Sequence, residues 1–237
     1  MQPARILVIT GAGVSAESGI PTFRGAGGYW RKLDPAKLAT PEAFERDPAL
    51  VWEWYRERRA GIRKAEPNPA HHAIAQLARG VPGFLLVTQN VDNLHARAGV
   101  PSEKMVQIHG DIFVTKCSEC AERFREDEAD GTELPKCRDC GALMRPGVVW
   151  FGEQLDFEQI ARVESFLEAG PTDVTIVAGT TAMFGYIVDW GVRSVGDTGR
   201  LIEVNPERTS LSALAGETLS KPAGAALPEL VRRLAAG

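Results

Sequence analysis

Residues 11–24 read Gly11-Ala12-Gly13-Val14-Ser15-Ala16-Glu17-Ser18-Gly19-Ile20-Pro21-Thr22-Phe23-Arg24, directly after the apolar run Ile6-Leu7-Val8-Ile9. An uninterrupted apolar run of this length predicts a buried parallel strand. A strand, a glycine turn and a helix start together present backbone N–H groups to a phosphate. Gly11 and Gly13 would allow the close approach of a pyrophosphate, and Ala16 takes the third small position, where helix packs on strand. The alternative for any G-x-G-x-x-A match is a packed turn. An ordinary dinucleotide unit closes within about 30 residues; here the next strand, Phe84-Leu85-Leu86-Val87, lies far beyond that. The turn formers of Ser18–Arg24 cannot simply continue a helix. A long ordered loop must complete the nucleotide site, unlike that of a hydride-transfer dehydrogenase, which hints at a nucleotide that is cut rather than oxidised.

The four cysteines form two pairs, Cys117/Cys120 and Cys137/Cys140, in the pattern C-x2-C-x16-C-x2-C. This is zinc-ribbon spacing, and four thiolates would fill a tetrahedral shell, predicting one structural zinc with no open position for chemistry. A redox pair is the alternative. At 237 residues, 44% of them hydrophobic, the chain can bury one good core plus a smaller module. A net charge of −4 gives no reason to expect nucleic acid as the main partner. The charge-free stretch Val174–Val188 is shorter than the roughly 20 residues of a membrane span, and Ile6–Ile9 is too short for a signal-peptide core. These features predict a soluble cytoplasmic protein without a membrane partner.

Thr40-Pro41, Asp47-Pro48 and Asn68-Pro69 predict three helix starts, each a cap residue followed by proline. Gly25–Trp30 could act as a lid, and residues 25–80 form a helical insertion between the first two strands. On the helix from Pro48 to about Ala65, Val51, Trp54, Tyr55 and Ile62 face inward, and Arg58 falls on the same stripe. Arg56, Glu57 and Arg59 are assigned to the solvated face. An inward arginine needs an anion, although snorkelling to the edge would also satisfy it.

Beyond the carboxyl end of the second strand stand Gln89, Asn90 and Asp92, and His109 follows the short strand Met105–Ile108. Open α/β sheets bind ligands at such strand ends. Residues 112–146 hold the cysteines, with Arg123–Glu133 exposed. Val148-Val149-Trp150-Phe151-Gly152-Glu153 is either a peptide-pairing edge or an ordinary buried strand. Asp156 caps a helix stopped by Gly170. Val174–Ala178 leads to a second turn, Gly179-Thr180-Thr181, and Leu201–Val204 ends at Asn205-Pro206. The final helix is placed after Pro228.

The signature at Gly11–Arg24 resembles that of the sirtuins, NAD-consuming protein lysine deacylases. Thr88-Gln89-Asn90-Val91-Asp92, Ile108-His109-Gly110, the paired cysteines, Val148–Glu153, Gly179-Thr180-Thr181 and Glu203-Val204-Asn205-Pro206 resemble the family's later motifs, in order. The resemblance implies an α/β fold with a Rossmann-like parallel-sheet domain (residues 1–24, 81–111 and 147–237). Its small domain would combine a helical module (25–80) and a four-cysteine zinc ribbon (112–146), with NAD and the acylated lysine side chain of a protein entering the cleft between the two domains. The amide oxygen attacks the ribose carbon that loses nicotinamide, giving an O-alkylimidate; the products are free lysine, nicotinamide and O-acyl-ADP-ribose.

His109 would be the general base on the ribose hydroxyls, Asn90 would orient the ribose and Asp92 would hold the carboxamide. The cofactor residues implied are Gly11, Ala12, Gly13, Ala16, Glu17, Thr22, Phe23, Arg24, Gln89, Gly179, Thr180, Thr181, Asn205 and Ala223. Val148, Trp150, Phe151, Gly152 and Glu153 would line the substrate. Tyr55 and Arg58, with Ala39 at the pocket mouth, resemble the class III branch that removes succinyl, malonyl and glutaryl groups, which implies desuccinylation with weaker deacetylation. Phe184 and Tyr186 depart from the valine and proline usual in the family. Competing expectations are a plain deacetylase, a non-catalytic NAD or ADP-ribose sensor, and a mono-ADP-ribosyltransferase.

Overall fold

The computed structural model describes residues 2–22, 34–125, 131 and 133–236. Phe23, Arg24 and the Gly25–Trp30 segment lie outside the described residues. Nine strands are present among them: β1 Arg5–Thr10, β2 Gly83–Thr88, β3 Met105–Gln107, β4 Gly110–Cys117, β5 Arg123–Arg125, β6 Met144–Val148, β7 Val174–Ala178, β8 Arg200–Val204 and β9 Glu217–Leu219. The α-helices are α1 Pro35–Leu38, α2 Pro41–Arg46, α3 Pro48–Lys64, α4 Pro69–Gly80, α5 Leu94–Arg97, α6 Phe157–Glu168, α7 Gly185–Val195 and α8 Ala223–Ala236.

A parallel six-stranded sheet runs β3-β2-β1-β7-β8-β9. Thr10 pairs with both Thr88 and Ala178, so the turns after β1, β2 and β7 leave the sheet at one level. Alternate β1 residues feed opposite layers. Ile6 and Val8 pack with Ile74, Leu77 and Leu230 of α4 and α8; Leu7 and Ile9 pack with Val163, Ile187 and Trp190 of α6 and α7. Covering both faces is what makes the strand uniformly apolar.

The cap-plus-proline starts form as expected. Thr40 accepts from the Ala43 N–H (3.1 Å), Asp47 from Leu50 (3.0 Å) and Asn68 from Ala70 (2.9 Å). Three expectations need correction. No α-helix follows the glycine turn: two three-residue 3-10 turns, Ala12–Val14 and Ala16–Ser18, end at left-handed Gly19, and Ala16 is exposed rather than packed on the strand. The last helix begins at Ala223, with Pro228 inside it, because the Glu17 carboxylate caps the Gly224 N–H (2.6 Å) from the far end of the sequence. Arg59 is wholly buried.

The cause of that burial lies in β4. Its antiparallel register to β6 breaks between Gly110 and Thr115. Arg59 supplies donors there: Nε to the Ile112 carbonyl (2.5 Å), and Nη2 to the Val114 carbonyl and Thr115 Oγ1 (both 3.1 Å). It ties α3 to the three-stranded β5-β4-β6 sheet that carries the cysteines. Arg59→Met should destabilise the chain by about 3 kcal/mol, since it strands buried carbonyls. Thermal denaturation would show this, and a loss no larger than that of Arg56→Met would disprove the tie.

Candidate functional site

The strand order reverses between β1 and β7, where open α/β sheets leave a crevice. The glycine turn meets the β7 turn there. A Cβ on Gly11 would stand 2.7 Å from Thr180 Cβ, and one on Gly13 2.8 Å from the Gly179 carbonyl oxygen. Gly179 has φ +61°, and its Cβ would lie 2.4 Å from the Val14 nitrogen. The Gly11 and Gly13 N–H groups donate to the Ala178 and Gly179 carbonyls (3.0 and 2.8 Å). These glycines therefore bring two loops together, rather than pointing their own N–H groups at a phosphate.

Gln89, Asn90 and Asp92 converge on the same edge. Gln89 Nε2 donates to Thr180 Oγ1 (3.0 Å), and Asn90 Nδ2 donates to Ser15 Oγ (3.1 Å). His71 Nδ1 accepts from the Asn68 N–H (3.2 Å), so its Nε2–H donates to Ser15 Oγ (3.3 Å). With two donors arriving, the Ser15 hydroxyl gives its own proton to Asp92, which also accepts from the Leu94 N–H (3.1 Å). Burial raises the Asp92 pKa; the Ser15 and Leu94 bonds and the Arg58 charge oppose it. Burial also holds His71 neutral, with a pKa near 4. Ser15 and His71 were missed from the sequence. Serine in a glycine turn reads as turn chemistry, and a histidine on an apolar helix face reads as core.

His109 follows β3. Its Nδ1 lies 3.0 Å from the Gln89 carbonyl, which only accepts, so Nδ1 carries the proton and Nε2 is the basic atom. The Tyr186 hydroxyl donates to Nε2 (2.7 Å). Burial lowers the His109 pKa below 6.5, against the raising effect of the Gln89 bond, so the ring is neutral at neutral pH. Among the other sequence candidates, Ala223 is buried at the start of α8, beside the Glu17 cap. Asn205 Nδ2 donates to the Glu207 carbonyl (2.9 Å), Ala12 is half-buried and Thr181 is exposed. Thr22 lies in the last described stretch before residue 34.

Across the crevice, Ala39, Tyr55, Val148 and Trp150 share one buried cluster. Trp150 Nε1 donates to the Tyr55 hydroxyl (2.9 Å), leaving the phenol's own proton to give away. Burial raises the Tyr55 pKa to about 12, keeping that proton in place. Arg58 lies over the Trp54 ring (4.9 Å); burial lowers its pKa, opposed by the charges of Tyr55 and Asp92. The Phe151 N–H donates to the Ala39 carbonyl (2.9 Å), and the Val149 N–H to that of His109 (2.9 Å), so this segment already uses part of its edge. The Gly152–Glu153 turn folds back, with Glu153 held by Arg145 (2.5 and 2.9 Å) and by the Trp150 N–H (2.8 Å).

The four cysteine sulfurs lie within 4.8 Å of one another, with the Cys117–Cys140 and Cys120–Cys137 pairs at 3.5 Å. Tetrahedral zinc at about 2.3 Å from each sulfur needs sulfurs about 3.8 Å apart, so the residues fit one structural ion. The Glu119 and Cys120 N–H groups point at the Cys117 sulfur and hold its pKa near 7. Metal analysis should find about one zinc per chain, and about none in the Cys137→Ser/Cys140→Ser variant; equal zinc in both proteins would rule this site out.

Together these features define a nucleotide-binding parallel α/β protein with a four-cysteine metal module. The Sir2 family model matches residues 11–184. An NAD-dependent protein deacylase of Thermococcus kodakarensis is 46% identical, covering 96% of this chain and 90% of its own length. That of Aquifex aeolicus is 42% identical over 97% and 95%. A solved Sir2 homologue–NAD complex superposes with a TM-score of 0.91 at 43% identity, over 99% and 90%. The chain belongs to the Sir2 family.

Proposed function

We propose that this chain is a cytoplasmic, NAD-dependent protein lysine deacylase. It favours succinyl- and malonyl-lysine over acetyl-lysine and yields nicotinamide and O-acyl-ADP-ribose. The observation that carries the acyl preference is Arg58, close enough for its charge to act on Tyr55, a member of the buried cluster that also holds Ala39 and Trp150. A half-buried arginine beside a phenol whose proton is free to donate suits a carboxylate, and an acetyl group offers none.

NAD, when bound, supplies a ribose carbon that becomes electrophilic as nicotinamide leaves. The protein's part is orientation and proton transfer. His109, neutral and fixed in the Nδ1–H tautomer, would take a ribose hydroxyl proton at Nε2. Asn90 and Asp92, both anchored through Ser15, would hold the ribose and the carboxamide. The deacylase names of the relatives and a solved Sir2–p53 peptide–NAD+ complex, at 26% identity, support protein lysines as substrates. No helix among the described residues is long and apolar enough to cross a membrane.

The test gives acetyl, malonyl and succinyl versions of one peptide to the protein with NAD and follows the products by mass spectrometry. Release of nicotinamide with none of them removes the deacylase reading. Faster turnover of acetyl-lysine than of both acidic acyl groups removes the class III preference and leaves a plain deacetylase.

A further inference from the structure

The His109 Nε2 lone pair is already occupied. A neutral imidazole has one in-plane lone pair, and with Nδ1–H bound to Gln89 it lies on Nε2. The Tyr186 hydroxyl donates to it at 2.7 Å. A ribose hydroxyl giving its proton to His109 must use the same lone pair, so substrate and Tyr186 compete for one atom.

The loop from Gly179 to Phe184 and the first turn of α7, which carries Tyr186, are built to hold this contact. Phe184 stacks on Tyr186 (centroids 5.5 Å apart, planes at 13°) and meets the imidazole edge-on at 5.6 Å. Tyr186 also packs on Trp190 (5.0 Å). Ala182 sits at φ +51°, a left-handed conformation unfavourable for alanine. Its N–H donates to Thr180 Oγ1 (3.2 Å), and its carbonyl accepts from Ser210 Oγ (3.1 Å). Thr180 Oγ1 also accepts from the Gln89 side chain, whose backbone carbonyl holds His109. The circuit closes: Gln89 to His109, to Tyr186, along the loop to Thr180, and back to Gln89. Dinucleotide contacts at Thr180 would loosen the loop at the end opposite Tyr186. The first turn of α7, which holds Tyr186, has no side-chain cap at Phe184, and the adjoining Phe184 and Gly185 are exposed, so the half-buried Tyr186 ring borders solvent on that side.

We propose that Tyr186 is a positioning residue that caps His109 in the substrate-free enzyme and must leave Nε2 before the base can act. This rests on the reading of His109 as the base toward ribose. Tyr186 thereby sets the apparent affinity for the dinucleotide. Every ternary complex forms by exchanging the phenol's hydrogen bond for the ribose's.

The ring is faced by the Gln89 carbonyl, Phe184 and Tyr186; among the described residues no ionised side chain weighs on its pKa, which burial and the Gln89 bond govern. A donor on Nε2 favours the neutral ring, so removing it raises the His109 pKa. Tyr186→Phe keeps the stacked ring and deletes only the hydroxyl. By nitrogen-detected NMR titration of the substrate-free protein, His109 should take its proton at higher pH than in the wild type. With saturating succinyl-lysine peptide, kcat/KM for NAD should rise about threefold to tenfold, mostly through a lower KM, and its acid limb should move to higher pH. Phe184→Ala, which keeps the hydroxyl but removes the ring stacked on it, should move both readouts the same way by less, and it carries the test if Tyr186→Phe does not fold. An unchanged His109 pKa, or a fall in kcat/KM in a folded variant, overturns the proposal. A wild-type chain that consumes no NAD with any acyl-lysine peptide overturns the deacylase reading itself, a distinct result.

Discussion

Replacing His109 with alanine should lower acyl-lysine-dependent nicotinamide release by about 10²–10⁴-fold, the usual contribution of a positioned general base. The size follows from how completely the site commits this ring. The Gln89 carbonyl fixes its tautomer, and burial keeps it unprotonated at neutral pH. The loss should fall chiefly on kcat, with circular dichroism unaltered, because His109 is only partly buried and belongs to none of the hydrophobic clusters. A sensor that merely holds NAD would keep its binding and have no turnover to lose. The sign of the pH dependence is also determined. Burial places the folded pKa below 6.5, so kcat/KM should be level through neutrality and decline only as the pH drops through that lowered value. A decline starting above pH 6.5 would show that another group titrates, and undiminished turnover in His109→Ala would remove this imidazole from the chemistry.

Arg58→Met should lower kcat/KM on succinyl- and malonyl-lysine peptides by about 10–100-fold, with a far smaller change on the acetyl peptide. A charge-assisted, two-pronged contact with a carboxylate is worth about 1.5–3 kcal/mol, and methionine keeps most of the side chain's volume against Trp54. Tyr55→Phe should lose less, since one neutral donor goes while the ring stays in its cluster. Equal losses on all three peptides would mean that Arg58 acts through its neighbour Asp92 on the nicotinamide side. Measuring the three substrates side by side separates these outcomes.

The neighbouring arginines show where sequence patterning stops. The 4-3-4 spacing of Val51, Tyr55, Arg58 and Ile62 put Arg58 on an inward stripe beside Tyr55. The same reasoning placed Arg59 in solvent, because a helical period counts positions and knows nothing of the partner surface. Arg59 is buried because it donates to the Ile112 and Val114 carbonyls where β4 loses its register with β6. Those carbonyls lie on an element far along the chain. Ser15 and His71 were hidden for a similar reason: each has an ordinary local explanation, and their link to Asp92 exists only once α4 lies beneath the glycine turn. The start of α8 was misplaced because its cap, Glu17, is remote in sequence.

By itself, the sequence determined the parallel strands, the cap-plus-proline helix starts, the four-cysteine metal module and the strand ends that carry Asn90, Asp92 and His109. Each of these depends on short-range periodicity, turn chemistry or ligand spacing, all properties of neighbouring residues. Tertiary structure alone decided which N–H groups the glycine turn keeps for itself, which arginine is swallowed by the small module, and which atom of His109 is basic and what covers it. Those outcomes depend on hydrogen-bond partners supplied by distant segments. A buried polar group must be matched by whatever the fold brings beside it.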